Sequence, residues 1–423
     1  MPSVIKEIGG LEYYAWNTTF FVAASVIGSV VSANRLAKLG PKKSYQMAIL
    51  LFALGTLVCT AAGSMYILLL GRFIQGLGGG LLFALSYAMI RIIFIKDLWP
   101  RAMALVSGMW GIAAFSGPFV GGIFAEQGQW RMAFGVLLIF CLLIFITASV
   151  ILPSKQNTHT TPPIPYLKLL MLVLAAFSVS AGSIAESTIL NVAGVLVAVF
   201  FIYILMVTEN KNSGLRLLPT GSYYFSTTLS KTYVVMALLT IATSIEIFVP
   251  YFAQTIQGFS PIESGYLTVL IAIGWTLASI AFSGVKEATA GKIILAGCIL
   301  MFIGLAGLTG ISLLSGFDTS YLHLILTCIF LFAAGAGIGM GWPHLLTRVF
   351  ALAPSGQEEL ASASVTTVQL MATALAGLAA NIGGILSPGG IQGAHQASII
   401  LYGTFSIAPL LAAVVIAAIV RKK

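Results

Sequence analysis

Thirteen stretches of this 423-residue chain are apolar over about 20 residues each, the length an α-helix needs to cross the hydrocarbon core of a bilayer. They run Tyr13 to Ala33, Tyr45 to Gly63, Met65 to Ile90, Ala102 to Ala125, Met132 to Leu152, Leu167 to Ile184, Thr188 to Val207, Tyr233 to Phe252, Ser264 to Gly284, Ile293 to Leu314, Leu322 to Phe350, Ala361 to Leu386 and His395 to Val420. Lipid offers no partner to backbone N–H and C=O groups, so such runs are forced into helices that satisfy their own hydrogen bonds. The expected fold class is therefore all-α, a polytopic membrane protein. A polar, proline-bearing linker, Pro153 to Pro165, sets off the sixth and seventh runs as an inserted hairpin, so the chain divides into 1–152, 153–208 and 209–423.

Composition narrows the function classes. Only 8% of residues are charged, against roughly a quarter in a soluble domain, and mean hydropathy is +1.02. The net charge of +9 is no nucleic-acid footprint, because the basic residues sit in short clusters between apolar runs. Threading the thirteen runs through a membrane puts 18 of the 21 basic residues on one face, which the positive-inside rule makes cytoplasmic, together with the C-terminus. Cys59, Cys141, Cys298 and Cys328 lie within apolar runs as small core residues, and His159, His323 and His395 show no metal spacing. No metal or cofactor site is read from the sequence. HExxH, GxSxG and any nucleophile–base constellation are missing, so an enzyme is not expected.

An internal repeat points to transport. QGLGGG at Gln75 to Gly80 recurs loosely as AGIGMG at Ala336 to Gly341, and GPFVGG at Gly117 to Gly122 as ALAANIGG ending at Gly384, displacements of 261 and 262 residues. Two six-helix bundles repeated in parallel and joined by the extra hairpin are the build of a secondary transporter with a midplane site.

The ionisable residues inside the runs are the candidate site. Arg72 lies about 10 Å inside its run, with Gln75, Gly76 and Gly79 on the same helical face. It either faces other helices or a wet cavity, or snorkels to the headgroups. Glu246 is near the middle of Tyr233 to Phe252, four residues before Pro250, which cannot bond its carbonyl; the carboxyl either carries a proton or packs as a neutral acid between helices. His344, beside Trp342 and Pro343, is a relay or a hydrogen-bonded packing residue. Gly117, Pro118, Gly121 and Gly122 predict a bent, closely packed helix.

With these residues in view, the chain resembles the major facilitator superfamily, and within it the 14-helix drug:proton antiporters of the EmrB/QacA type. Arg72, Gln75, Gly76, Gly78 and Gly80 look like its fourth-helix RxxQGxG motif; Gly117, Pro118, Gly121 and Gly122 look like the core of its fifth-helix antiporter motif. Trp16, Trp130 with Arg131, and Phe259 to Gly265 match further positions. The family's gating loop between helices two and three is represented by Ala33 to Lys42, but Ala37 replaces its aspartate, leaving Arg35, Lys38, Gly40, Lys42 and Lys43 without the acid of the usual inner gate. MPSVI resembles the tail of the family's first helix. The resemblance thus implies that the first helix and its embedded aspartate are missing, that an apolar segment precedes Met1 in frame, and that Glu246 is the only embedded acid left.

The resemblance implies a proton-coupled exporter of small amphipathic compounds in the inner membrane, working by alternating access. Its partners are a small-molecule substrate, protons and the lipid bilayer, without nucleic acid; it is expected as a monomer, with a periplasmic adaptor protein as a further partner. A dedicated exporter of one metabolite, or a binding or sensor protein that kept the fold and lost transport, stay open as alternatives.

Overall fold

A computed structural model describes residues 4, 7–9, 14–154, 163–184, 188–211, 216–315, 321–385 and 390–420. The start of the chain around MPSVI, most of the 153–165 linker with His159, and the basic tail lie outside the described residues. The described chain is all-helical, and its thirteen α-helical segments cover the thirteen apolar runs, the first taking two runs and one run being split between two segments. In order they are α1 (Tyr14–Thr60), α2 (Met65–Ile93), α3 (Trp99–Glu126), α4 (Trp130–Ile151), α5 (Tyr166–Ile184), α6 (Thr188–Lys211), α7 (Thr228–Thr243), α8 (Val249–Gln257), α9 (Pro261–Phe282), α10 (Glu287–Ser315), α11 (Tyr321–Leu352), α12 (Glu358–Ile385) and α13 (Gly390–Val420). Among the described residues, nine helical segments are long and apolar enough to cross a membrane.

Two of these boundaries differ from the expected ones. The first two runs are not joined by an extended loop: α1 carries both, as two arms that meet at Gly40 (φ 74°), the one residue with non-helical dihedrals. A left-handed φ costs glycine little, and Pro41 fixes the first turn of the second arm. Ser44 caps the reversal by donating to the Arg35 carbonyl at 2.9 Å. Conversely, the Tyr233 to Phe252 run is split. α7 ends at Thr243, a 3₁₀ turn covers Ser244–Ile247, and α8 restarts with Pro250 in its first turn. α9 opens on a full capping box, Ser260 with Glu263, and Pro261 at its first position.

The chain forms two compact units. Unit 1 holds Met1–Ile93, Val120–Tyr223 and Ala353–Met371; unit 2 holds Phe94–Phe119, Tyr224–Leu352 and Ala372–Lys423. Within unit 1, the hairpin α5–α6 packs Leu169, Leu172 and Leu205 with Leu217 against Val26 and Val30 of α1. A buried ion pair ties the hairpin together: Lys168 Nζ lies 3.0 Å from Glu209, whose carboxylate also accepts the Leu217 N–H at 2.8 Å. Glu209 is thus a second acid enclosed by the protein, in the last turn of α6, whereas Glu246 lies in the interior of its span. At the end of unit 1 that carries Glu7, its carboxylate accepts from Arg131 and from Trp130 Nε1, and Arg131 also donates to the Ala62 carbonyl. The Arg131 and Trp130 donors hold the exposed Glu7 carboxyl below its ordinary value.

Candidate functional site

Unit 1 builds its site on a close packing of backbones. α2 runs between the two arms of α1. A methyl group added at Gly76 or Gly80 would lie within 3.0 Å of the Phe21 or Ser25 carbonyl, on the first arm; one added at Gly78 would meet the Phe52 backbone, on the second. Glycine at these three positions lets both arms reach the α2 backbone. Ser25 Oγ uses the approach to donate to the Gly76 carbonyl at 3.1 Å.

The polar groups of α2 are then enclosed. Arg72 donates to Gln75 through a short hydrogen bond, Gln75 Nε2 donates to Thr56 Oγ1 at 2.8 Å, and Thr56 Oγ1 donates to the Phe52 carbonyl at 2.7 Å. The Arg72 guanidinium also lies 4.3 Å from the Phe21 ring centroid, and its Nε points at the Asn17 carbonyl at 3.5 Å. Gln75 is one turn deeper in the span than Arg72, so the guanidinium is drawn inward. Snorkelling toward the near helix end would break these contacts. Among the described residues no carboxylate stands within 4.0 Å of it, so the site keeps a positive charge held by dipoles and an aromatic face.

Unit 2 repeats the packing with other side chains. α11 runs between α9 and α10: methyls at Gly335 and Gly339 would strike the Ile271 and Trp275 carbonyls, and one at Gly337 the Met301 backbone. Gly76, Gly78 and Gly80 therefore correspond to Gly335, Gly337 and Gly339, 259 residues on, which corrects the sequence alignment of this segment by two positions. In the corrected register Arg72 corresponds to Leu331, Gln75 to Ala334, Thr56 to Leu305, Phe21 to Ile271 and Asn17 to Leu267, all apolar and all buried. The polar chain of unit 1 has no counterpart.

The remaining expected residues are scattered. Glu246 lies in the 3₁₀ turn between α7 and α8, in the interior of the span Thr228–Gln257. Its side chain is exposed at this break in the helix, which departs from the alternative of a neutral acid packed between helices and leaves the proton-carrying alternative open. α8 is fixed beside it by Phe248 stacked on Phe405 and by Phe252 edge-on to Tyr402. His344 is buried and its Nε2 bonds the Phe282 carbonyl at 2.8 Å, at the C-terminal end of α9. In α3, methyls at Gly117 and Gly121 would meet nothing within 4 Å among the described residues, whereas one at Gly111 would meet Thr276 of α9. The side chains of Pro118 and Gly122 lie outside the described residues. Arg35, Lys38, Lys42 and Lys43 flank the Gly40 reversal, and among the described residues none of them has a carboxylate within 4.0 Å. Asn17, Phe21 and Thr56 are site residues that sequence reasoning missed; a buried Thr four residues after Phe52 carries no local signal of its distant partner. Among the described residues no group of three metal-ligating side chains converges.

Comparison with known proteins bears on this arrangement. The family model described as Major Facilitator Superfamily matches residues 1–388. A probable multidrug-efflux transporter of Mycobacterium tuberculosis (strain ATCC 25618 / H37Rv) is 34% identical over 389 residues, covering 90% of this chain and 82% of the relative. Multidrug resistance protein 3 of Bacillus subtilis (strain 168) is 24% identical, over 82% of this chain and 67% of its own length. The crystal structure of the human organic anion transporter MFSD10 (TETRAN) matches with a TM-score of 0.64 over 96% of this chain and 83% of that one, at 17% identity, a likeness of fold.

Proposed function

The chain belongs to the major facilitator superfamily, and on that premise we propose that it is a secondary active exporter of small amphipathic compounds, driven by proton entry through alternating access of two helix bundles. Its similarity to a relative named for multidrug efflux supports the efflux half of this reading. The proton half is carried by one observation, a carboxyl at Glu246 in the interior of a membrane span at a break between two helices. An ionisable group at that depth is costly unless it is wetted, paired or protonated, and the 3₁₀ turn leaves it exposed to whatever fills the adjoining space. Glu246 takes up and releases the transported proton, and Arg72, a positive charge with no carboxylate partner among the described residues, biases that exchange and the substrates admitted. His344, bonded to a helix-end carbonyl, serves as a packing residue beside the bend at Pro343.

In this reading the protein belongs to the 14-helix antiporter type and sits in the inner membrane with its basic-rich ends and C-terminus in the cytoplasm. The reversal at Gly40, flanked by Arg35, Lys38, Lys42 and Lys43, and the α3 segment of Gly117, Pro118, Gly121 and Gly122, move with the gating step. The test is a proteoliposome assay in which a cationic dye substrate is added against a preset pH gradient. Wild type dissipates the gradient on substrate addition. Glu246→Gln abolishes that dissipation and flattens the pH dependence of dye efflux; undiminished, pH-dependent efflux in the variant refutes the proton half.

A further inference from the structure

Unit 2 holds a second polar site, lined by His344 but by neither Arg72 nor Glu246. It is a cavity of about 550 Å³ at the junction of α3, α9, α10 and α11, at the basic-rich end of the unit. Four cations, Lys96, Arg101, Lys286 and Arg348, line it against two acids, Asp97 and Glu287. Among the described residues, neither acid comes within 4.0 Å of any of the four cations, so no ion pair neutralises the surplus.

One atom there is unexplained by the protein alone. Among the described residues, Arg348 Nη1 is buried and has no hydrogen-bond partner. A buried guanidinium nitrogen left without an acceptor is costly, and in native structures such a group generally has a water or ion to bond. Two helix N-termini add to the field at this point: α3 begins at Trp99 with Pro100 and Arg101 in its first turn, and α10 begins at Glu287. Their dipoles favour an anion, although the Trp99, Thr289 and Ala290 N–H groups already bond the Lys96 and Lys286 carbonyls. The volume falls within the range of small-ligand pockets.

We propose that this cavity is a binding site for a phosphate-bearing anion, either the headgroup of an anionic phospholipid or a free phosphomonoester. Arg348, half-buried on the cavity wall, supplies a guanidinium donor. Arg101, Lys96 and Lys286, all exposed, gather around the accessible oxygens. Basic pockets between membrane helices are suited to such headgroups, and α3 and α10 present their positive ends where one would lie.

The test uses the full chain in nanodiscs. Apparent unfolding temperature is followed as glycerol 1-phosphate is titrated into zwitterionic phosphatidylcholine discs, and separately as phosphatidylglycerol replaces part of the phosphatidylcholine. Wild type is stabilised by at least one of the two. Arg348→Gln and Arg101→Gln each weaken the apparent affinity by about tenfold or more, the loss expected from one charge-assisted hydrogen bond. Lys292→Gln, an exposed lysine on α10 outside the cavity, leaves it unchanged. Stabilisation by phosphatidylglycerol alone assigns a lipid headgroup; stabilisation by glycerol 1-phosphate in phosphatidylcholine assigns a free phosphate. Because Arg101 is exposed, its variant decides the matter if Arg348→Gln does not fold. The proposal is overturned if neither ligand stabilises wild type, or if Lys292→Gln weakens binding as much as the cavity variants, which would make the effect one of general surface charge.

Discussion

The helix triplets of the two units are alike in backbone and opposite in chemistry. In unit 1, α2 is held between two arms of α1 through Gly76, Gly78 and Gly80; in unit 2, α11 is held between α9 and α10 through Gly335, Gly337 and Gly339. Around the first set runs a polar chain, Arg72, Gln75 and Thr56, with Phe21 and Asn17 beside it. Around the second stand Leu331, Ala334 and Leu305, with Ile271 and Leu267. Both triplets need the glycines, so these carry the fold. Only one triplet has the charge, so in the proposed function the transport chemistry divides unevenly between the units, with Arg72 in the first and Glu246 in the second.

The largest effects should come from breaking what the triplets share. Gly80→Val and Gly339→Val each drive a side chain into a facing backbone carbonyl, which cannot move aside as a side chain end could, and overpacking of this kind costs about 1–3 kcal/mol or more. Both variants are expected to lose the monodisperse peak in fluorescence-detected size-exclusion chromatography. A normal peak from one of them would show that its triplet is not closely packed. Next is a transplant. Leu331→Arg alone buries an unpaired cation and should be nearly as disruptive, whereas Leu331→Arg with Ala334→Gln and Leu305→Thr supplies the unit 1 partners and should recover part of the folded yield. Equal yields for the single and triple variants would deny that Gln75 and Thr56 stabilise Arg72.

A more selective effect is expected from Leu331→Ala, which removes buried apolar volume at a cost of about 2–5 kcal/mol in unfolding free energy, without forcing two backbones apart, and leaves transport per folded molecule unchanged. Smallest is the clamp of unit 1 at Glu7. Its carboxyl is held below the ordinary value of 4.5 by Arg131 and Trp130, so its contribution to stability is present above that pH and is lost as pH falls through the depressed value. Glu7→Gln should therefore lower the unfolding temperature slightly at pH 7 and merge with wild type in acid. A gap that persists or widens below pH 4 would contradict the sign.

Much of this was legible in the residues. Apolar length alone locates the helical segments, because a membrane leaves the backbone no other way to satisfy its hydrogen bonds. Arg72 and Gln75 are visible as a pair because three residues along a helix share a face. The repeat was visible but two residues out of register. Glycines occur at alternate positions through Gly76, Gly78 and Gly80 and again through Gly335, Gly337, Gly339 and Gly341, so a shift of two matches nearly as well, and only the facing backbones decide. Thr56 and Asn17 reach Arg72 from α1, and Lys168 reaches Glu209 across a hairpin, contacts that no local spacing encodes. Glu246 was placed on a regular helix, and its exposure follows from a 3₁₀ turn that periodicity does not signal.

The claim that the charge of unit 1 serves transport while its packing serves the fold is tested most directly by substrate-induced dissipation of a pH gradient in proteoliposomes, measured per folded molecule for Arg72→Ala and Leu331→Ala side by side. The account predicts that Arg72→Ala loses about tenfold or more of the response, while Leu331→Ala, though less stable, matches wild type. A full response from Arg72→Ala with an unchanged pH profile would contradict it.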